Sequence, residues 1–245
     1  MTTCRRPDLF VQTVASIREN VTDIDRVTQW IIVDDNTPLE HREQMVDATA
    51  WLGDKVTWIW KGPEDRGHAR SMNMLREYRN HSDYIFHWED DWRVVVASNY
   101  VERTIDALDE YPLLGQVLIN ENYRERFVNP NHERIGGSAF LSPKVMIHLW
   151  NPQQTHEVGS FHWPHYALRP GMMRREVWDV VGAYNETHQH FEFEYGERYF
   201  HNHGYQTGFL VGVNSEHLGK CTWEKEEDIP SAYGLNNVSR FKDEL

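Results

Sequence analysis

The chain is poor in cysteine, in positive charge and in long apolar runs, and each shortage removes a class of protein. Cys4 and Cys221 are the two cysteines among 245 residues, too few for a disulfide framework and enough for at most one bridge. Lys and Arg number 25 against 38 Asp and Glu, a net charge of −13. Binding a nucleic-acid backbone needs clustered basic side chains; those here are scattered, so no nucleic-acid partner is expected. No apolar stretch approaches the roughly 20 residues of a membrane-spanning helix, so no stable membrane insertion is expected. The 14 histidines include no H-E-x-x-H pair of the zinc-binding kind, and most are expected at the surface. Internal repeats and low-complexity tracts are absent, and no linker-like stretch occurs before the polar tail that follows about Lys225.

Forty per cent apolar residues, with 13% aromatic, are a globular composition, and a chain of this length can bury one sizeable core. The first half alternates between two hydrophobic periods. Pro7 can open a helix on which Phe10, Val14, Ile17 and Val21 form one stripe. WIIV at Trp30 to Val33 reads as a short buried strand, and a helix from about His41 to Leu52 carries Met45, Ala48 and Trp51. VTWIW at Val56 to Trp60 is a second strand; a helix from near Gly67, with Ala69, Met72 and Arg76, leads to a third in YIFHW. This order predicts an α/β protein with a mixed, mainly parallel sheet flanked by helices in a single domain. The second half is less regular: a strand at Gln116 to Asn120, a Gly136-Gly137 turn, a loop rich in His, Trp and Pro from His156 to Pro170, and helical patches at Arg174 to Val181 and Phe191 to His203.

The stretch YIFHWEDDW, Tyr84 to Trp92, sets a buried strand directly against three carboxylates. Adjacent anions repel and resist desolvation, so Glu89, Asp90 and Asp91 need a cation, a partner or open solvent. Asp34-Asp35 also follows a strand. Open α/β sheets bind ligands at the carboxyl ends of their strands, so both clusters fall on one rim. Such carboxylates suit Mn²⁺ or Mg²⁺, which keep open positions for phosphates and supply the positive charge the chain lacks.

Six stretches in order then carry a resemblance: TTCRRPDLF at Thr2 to Phe10, IIVDDNT at Ile31 to Thr37, GHARSMN at Gly67 to Asn73, HWEDDW at His87 to Trp92, FEFEYGERY at Phe191 to Tyr199 and EHLGK at Glu216 to Lys220. The chain resembles family-2-type glycosyltransferases of the GT-A (Rossmann-like) fold, in the small-transferase subgroup also seen in large DNA viruses. That resemblance implies a transferase domain over 1–225, with a nucleotide-binding half at 1–115 and an acceptor-binding half at 116–225, followed by a polar tail at 226–245. It implies metal-dependent, inverting transfer of a sugar from a nucleoside-diphosphate sugar to a hydroxyl acceptor, a glycan or glycoconjugate. Thr3, Arg5, Asp34, Asp35, Arg70, Asn73 and Asp90 are implied to contact the nucleotide. Glu89-Asp90-Asp91 matches the DxD motif, with Asp91 the direct metal ligand, Glu89 beside it and His217 completing the shell. Glu192 and Glu194 match the position of the catalytic base, where the family usually carries Asp, so the choice between them stays open. The family's first strand precedes the loop matched by TTCRRP, and here it is either a stub or is completed upstream.

Aromatic faces beside polar clusters suit sugar rings. Trp88, Trp92, Trp163 and Tyr166 border the expected rim, and the stretch from Gly159 to Pro170, with Trp163, His165 and Tyr166, is expected to form part of the acceptor wall. Two other functions compete. A catalytically silent nucleotide-sugar or carbohydrate binder would have no use for the glutamates, and a sugar-nucleotide pyrophosphorylase would need a glycine-rich loop that TTCRRPD does not provide. No leader opens the sequence, so a cytoplasmic location is expected; the terminal KDEL instead suits the endoplasmic-reticulum lumen, given an upstream signal.

Overall fold

The structure is a computed structural model, and it describes residues 1–120, 138–149, 165–188 and 190–219. The Gly136-Gly137 turn, Trp163 and the tail lie outside the described residues. In chain order the elements are β1 (Thr2–Thr3), α1 (Pro7–Asn20), β2 (Trp30–Asp34), α2 (Leu39–Thr49), β3 (Val56–Trp60), α3 (His68–Tyr78), β4 (Tyr84–His87), β5 (Trp92–Val94), α4 (Tyr100–Glu110), β6 (Leu114–Leu118), β7 (Ser138–Ser142), β8 (Val145–His148), β9 (Gly171–Arg174), α5 (Arg175–Val181), α6 (Phe191–Glu197), β10 (Gln206–Leu210) and β11 (Ser215–His217).

Local sequence accounts for the first half. Pro7 occupies the first turn of α1, where its missing N–H costs nothing, and Phe10, Val14 and Ile17 are fully buried. Strand β2 is apolar on both faces because it is covered on both. Trp30 and Ile32 join a core with α1 and α4, while Ile31 and Val33 join one with α3, α5 and α6. Helix α4 has no counterpart among the sequence expectations, although its buried Tyr100, Thr104, Ala107 and Leu108 follow helical spacing.

Strands β1, β2 and β3 are parallel, with Thr3 opposite Asp34 and Asp34 opposite Trp60. Beyond β1 the Thr2 N–H donates to Trp88 O at 3.0 Å, so the chain leaving β4 runs alongside β1. From there the order is β4-β9-β6-β10-β8-β7. Only β6–β10 is parallel in this part, and the other pairs are antiparallel. The sheet is therefore mixed, as expected, with the uninterrupted parallel part confined to β1, β2 and β3. A separate pair, β5 with β11, sets His217 opposite Trp92. No helix among the described residues is long and apolar enough to cross a membrane.

Strand β9 lies between β4 and β6, and an added Cβ at Gly171 would sit 2.6 Å from the Val117 carbonyl oxygen. Gly171→Ala is expected to destabilise the protein by about 3 kcal/mol, because backbone rather than a movable side chain is in the way. Gly204 has φ +72 with nothing within 4 Å of a Cβ, so Gly204→Ala should cost only about 1 kcal/mol of backbone strain. Urea unfolding of both variants checks the order, and a larger loss at Gly204 would contradict this packing.

Candidate active site

The site is organised by the turn that follows β4. Asp90 is almost fully buried, and its carboxylate is held from three sides. Thr3 Oγ1 and the Cys4 N–H donate to Oδ2 at 2.9 and 3.0 Å, and Arg6 pairs with Oδ1. Its backbone carbonyl accepts from Thr13 Oγ1 of α1 at 2.7 Å, and Thr13 Oγ1 in turn accepts from the Trp92 N–H at 3.1 Å. Burial pushes the Asp90 carboxyl up, and Arg6 opposes that shift. Thr3 and Asp90, both expected at the nucleotide, thus bind each other and fix the loop between β1 and α1.

Asp91 shares the Arg6 guanidinium with Asp90. Its Oδ2 accepts from Arg6 Nη1 at 2.8 Å and lies 3.2 Å from His217 Nε2. The backbone carbonyl of Asp91 accepts from the Leu218 N–H at 2.7 Å, so the β5–β11 pairing and this bond together bring His217 from the far end of the described chain to the carboxylate. At Gly219 a Cβ would fall 2.2 Å from Asp91 Oδ2, so only glycine leaves this oxygen its space. Burial would raise the Asp91 carboxyl; the His217 hydrogen bond and Arg6 outweigh it and hold the group below its ordinary value.

Glu89 and Glu192 complete the acidic rim. Glu89 accepts from Trp92 Nε1 at 3.2 Å and faces His68 at 3.8 Å; burial, then the charges of Asp91 and Glu192, drive its carboxyl well above the usual range. Glu192, on α6, accepts from the Leu168 N–H at 2.9 Å through Oε1. The structure separates the two candidate bases. Glu194 is locked to Arg198 at 2.7 and 2.9 Å, and Arg198 also donates to the Val181 and Ala183 carbonyls. Its carboxylate braces α6 against the end of α5, whereas Glu192 lies near Glu89.

The acceptor wall requires a correction. Tyr166 is 2% exposed, with its hydroxyl bonded to Tyr184 and its ring against Tyr195 at 4.6 Å. His165 is equally buried and stacks on Phe200 at 4.3 Å. Both belong to the interior, held there by Gln116, which donates to the Ala167 carbonyl at 2.7 Å, and by Thr207, which donates to the His165 carbonyl. Aromatic side chains in a polar stretch suited a sugar platform equally well, and the sequence offered no sign of the four-tyrosine cluster that absorbs Tyr166.

At the end of β2 the two aspartates also divide. Asp34 accepts from the Thr37 N–H at 2.8 Å and its hydroxyl at 2.5 Å. Asp35 pairs with the buried Lys61 at 3.0 Å and accepts from the Gly67 N–H at 3.0 Å, while Lys61 Nζ donates to Gly67 O and Ser71 Oγ. Lys61 carried no sequence signal, yet it ties β2, β3 and the start of α3 into one unit. Arg5, with φ +52, donates its N–H to Thr37 Oγ1 at 3.0 Å. On α3, Asn73 bonds the backbone of Tyr184 and the Glu186 carboxylate, and Arg70 pairs with Glu77 at 3.2 Å. Asn73 therefore anchors a loop, and Arg70 lies on the outer side of the helix start.

Burial pushes the Asp34 carboxyl up to about 6 against the two Thr37 bonds. An acid with a raised folded-state pKa loses stabilisation as pH climbs from its unfolded value, near 4, towards the folded one. Asp34→Asn should therefore gain stability relative to the unmodified protein by up to about 3 kcal/mol between roughly pH 4 and pH 7. Urea unfolding across that range measures it, and a pH-independent difference would contradict the buried, ionising Asp34.

The residues at Asp91 fit a divalent ion. Arg6 and His217 converge on Oδ2, no Cβ at Gly219 crowds that oxygen, and a carboxylate with an imidazole suits Mn²⁺ better than Mg²⁺. Among the described residues no three His, Cys, Asp or Glu side chains converge as a closed cage would, so water and ligand oxygens would supply the rest of the shell.

No protein-family model and no curated protein matches the chain. Solved structures do. The mannosyltransferase PcManGT from Pyrobaculum calidifontis, in complex with GDP-Man and Mn²⁺, superposes with a TM-score of 0.61 at 12% identity over 98% of this chain and 68% of its own. GalNAc-T7 with UDP, GalNAc and Mn²⁺ gives 0.59 at 14% identity, over 90% and 43%. S. aureus TarS 1-349 in complex with UDP-GlcNAc gives 0.56 at 12% identity, over 91% and 58%. The chain thus spans about half the length of GalNAc-T7 and of this form of TarS. At these identities the likeness is one of architecture, and the architecture of this chain is the GT-A fold of glycosyltransferases.

Proposed function

We propose that this chain is a metal-dependent, inverting glycosyltransferase that moves a sugar from a nucleoside-diphosphate sugar to a hydroxyl acceptor. The observation that carries this reading is the meeting of Asp91, His217, Glu89 and Glu192 at the carboxyl end of the sheet in a GT-A fold. Nucleotides or nucleotide sugars, with Mn²⁺ in two of the three, accompany the similar solved structures, which supports the donor class and the ion.

In this reading Asp34, Asp35, Thr3 and Arg5 shape the nucleoside pocket, and the start of α3 turns backbone N–H groups towards anionic groups. Asp91 and His217, with Glu89 beside them, would hold Mn²⁺ or Mg²⁺, which when bound offsets charge on the diphosphate leaving group. Glu192 is the base. The Leu168 N–H fixes its Oε1, so the second oxygen can take the proton of the acceptor hydroxyl as that oxygen attacks the anomeric carbon. The new bond forms on the face opposite the breaking bond to phosphate, the nucleoside diphosphate departs, and the configuration inverts. Glu194 holds the helix that presents Glu192.

Replacing Glu192 by Gln should lower turnover by roughly 10²- to 10⁴-fold with donor affinity nearly unchanged. Glu194→Gln should keep turnover within a few-fold and lower the melting temperature instead. Equal turnover in Glu192→Gln would remove Glu192 as the base, and absence of transfer by the unmodified protein with every donor would leave a silent sugar binder as the better description. A thermal-shift screen of UDP-, GDP- and dTDP-sugars should find one donor that stabilises the protein only when Mn²⁺ is present; stabilisation by the same donor in chelator would remove the ion from the account.

A further inference from the structure

Arg6 is the member of the acidic rim to which the transferase reading gives no task. Its guanidinium is 13% exposed and spans both aspartates, with Nη2 on Asp90 Oδ1 and Nη1 at 2.8 Å from Asp91 Oδ2. That Asp91 oxygen is the one that also meets His217 at 3.2 Å. A guanidinium and a divalent ion need the same lone pairs, and two cations on one carboxylate oxygen repel strongly where solvent is excluded. The aspartates differ in how far they can let Arg6 go. Asp90 Oδ2 is committed to Thr3 and Cys4, so Asp90 remains a fixed anchor for one arm of the fork. Asp91 holds the other arm on the oxygen that His217 also meets. In this pose Arg6 Nε is buried with no hydrogen-bond acceptor among the described residues, which makes the pose incompletely satisfied. The residue before it turns through φ +52 and the residue after it starts α1, which sets the place from which the Arg6 side chain reaches the two aspartates.

We propose that Arg6 is a built-in stand-in for the metal ion: it neutralises Asp91 in the metal-free protein and leaves Asp91, but not Asp90, when the ion binds. Resting on the transferase reading, this gives Arg6 two effects. It keeps the Mn²⁺ affinity of the nucleotide-free protein low, because the ion must first displace a bonded guanidinium. It also couples ion to donor, because the arm released from Asp91 can donate a charge-assisted hydrogen bond to a diphosphate oxygen while the other stays on Asp90.

The test uses Mn²⁺ alone, without nucleotide, counting free ion by electron paramagnetic resonance over the full chain. Arg6→Met, which keeps the aliphatic bulk, should bind Mn²⁺ roughly tenfold more tightly than the unmodified protein, and adding the nucleoside diphosphate found by the donor screen should then improve Mn²⁺ affinity less than it does in the unmodified protein. An Arg6 that merely braces the fold would lower stability in the variant without tightening the ion. Arg6→Lys, which keeps the charge but cannot bridge two carboxylates, serves if the Met variant does not fold, and its affinity should fall between the two. Equal or weaker Mn²⁺ binding in folded variants overturns the role of Arg6 and leaves the transferase reading standing. Absence of Mn²⁺ binding in every form, unmodified and variant, overturns the metal site itself and the Arg6 proposal with it.

Discussion

Mutual repulsion among Glu89, Asp90 and Asp91 is the constraint around which this molecule is arranged. Three carboxylates at the end of a buried strand would destabilise any fold that offered them only apolar neighbours. Here β1 and the start of α1 supply donors to Asp90, Thr13 clamps the backbone of the turn, and Arg6 spans two of the charges. The β5–β11 pair then delivers His217 to the same Asp91 oxygen that Arg6 bonds. Elements far apart in sequence thus converge on one short turn.

The same constraint sorts the acidic residues into two kinds. Asp34, Asp35, Asp90 and Glu194 are each committed to protein donors, Asp34 within its own turn and the others between elements. Glu89, Asp91 and Glu192 sit close enough that, after burial, the charges of Asp91 and Glu192 raise the Glu89 carboxyl. A buried carboxylate that is fully bonded is structural, whereas a group of mutually opposed ones at a sheet edge stores unfavourable electrostatics that a ligand can relieve.

Much of the first half was legible because its signals are local. The stripe Phe10, Val14 and Ile17 marks α1, WIIV marks β2, and the acidic clusters fall where those strands end. What could not be read depends on distant pairing. Strand β9 has the sequence GMMR, with no alternation to betray it, and becomes a central antiparallel strand only through contact with β4 and β6. In the doublet Arg5-Arg6 the sequence alone cannot say which guanidinium meets the acidic turn; in the structure Arg6 pairs with Asp90 and Asp91. Lys61 likewise reads as an ordinary strand-end lysine until Asp35 and Gly67 surround it. Tyr166 was expected in the acceptor wall because stacking on a sugar and stacking on other tyrosines call for the same residue type.

The central claim is that Asp91 and His217 form a cation site facing a diphosphate, with Arg6 holding that place beforehand. Anomalous diffraction from crystals grown with Mn²⁺ and a nucleoside diphosphate addresses it directly. The account predicts a manganese peak in contact with Asp91 Oδ2 and His217 Nε2, diphosphate oxygens on its open side, and the Arg6 guanidinium withdrawn from Asp91. A nucleotide bound at this rim with no manganese beside Asp91, and Arg6 still bridging the two aspartates, would contradict it.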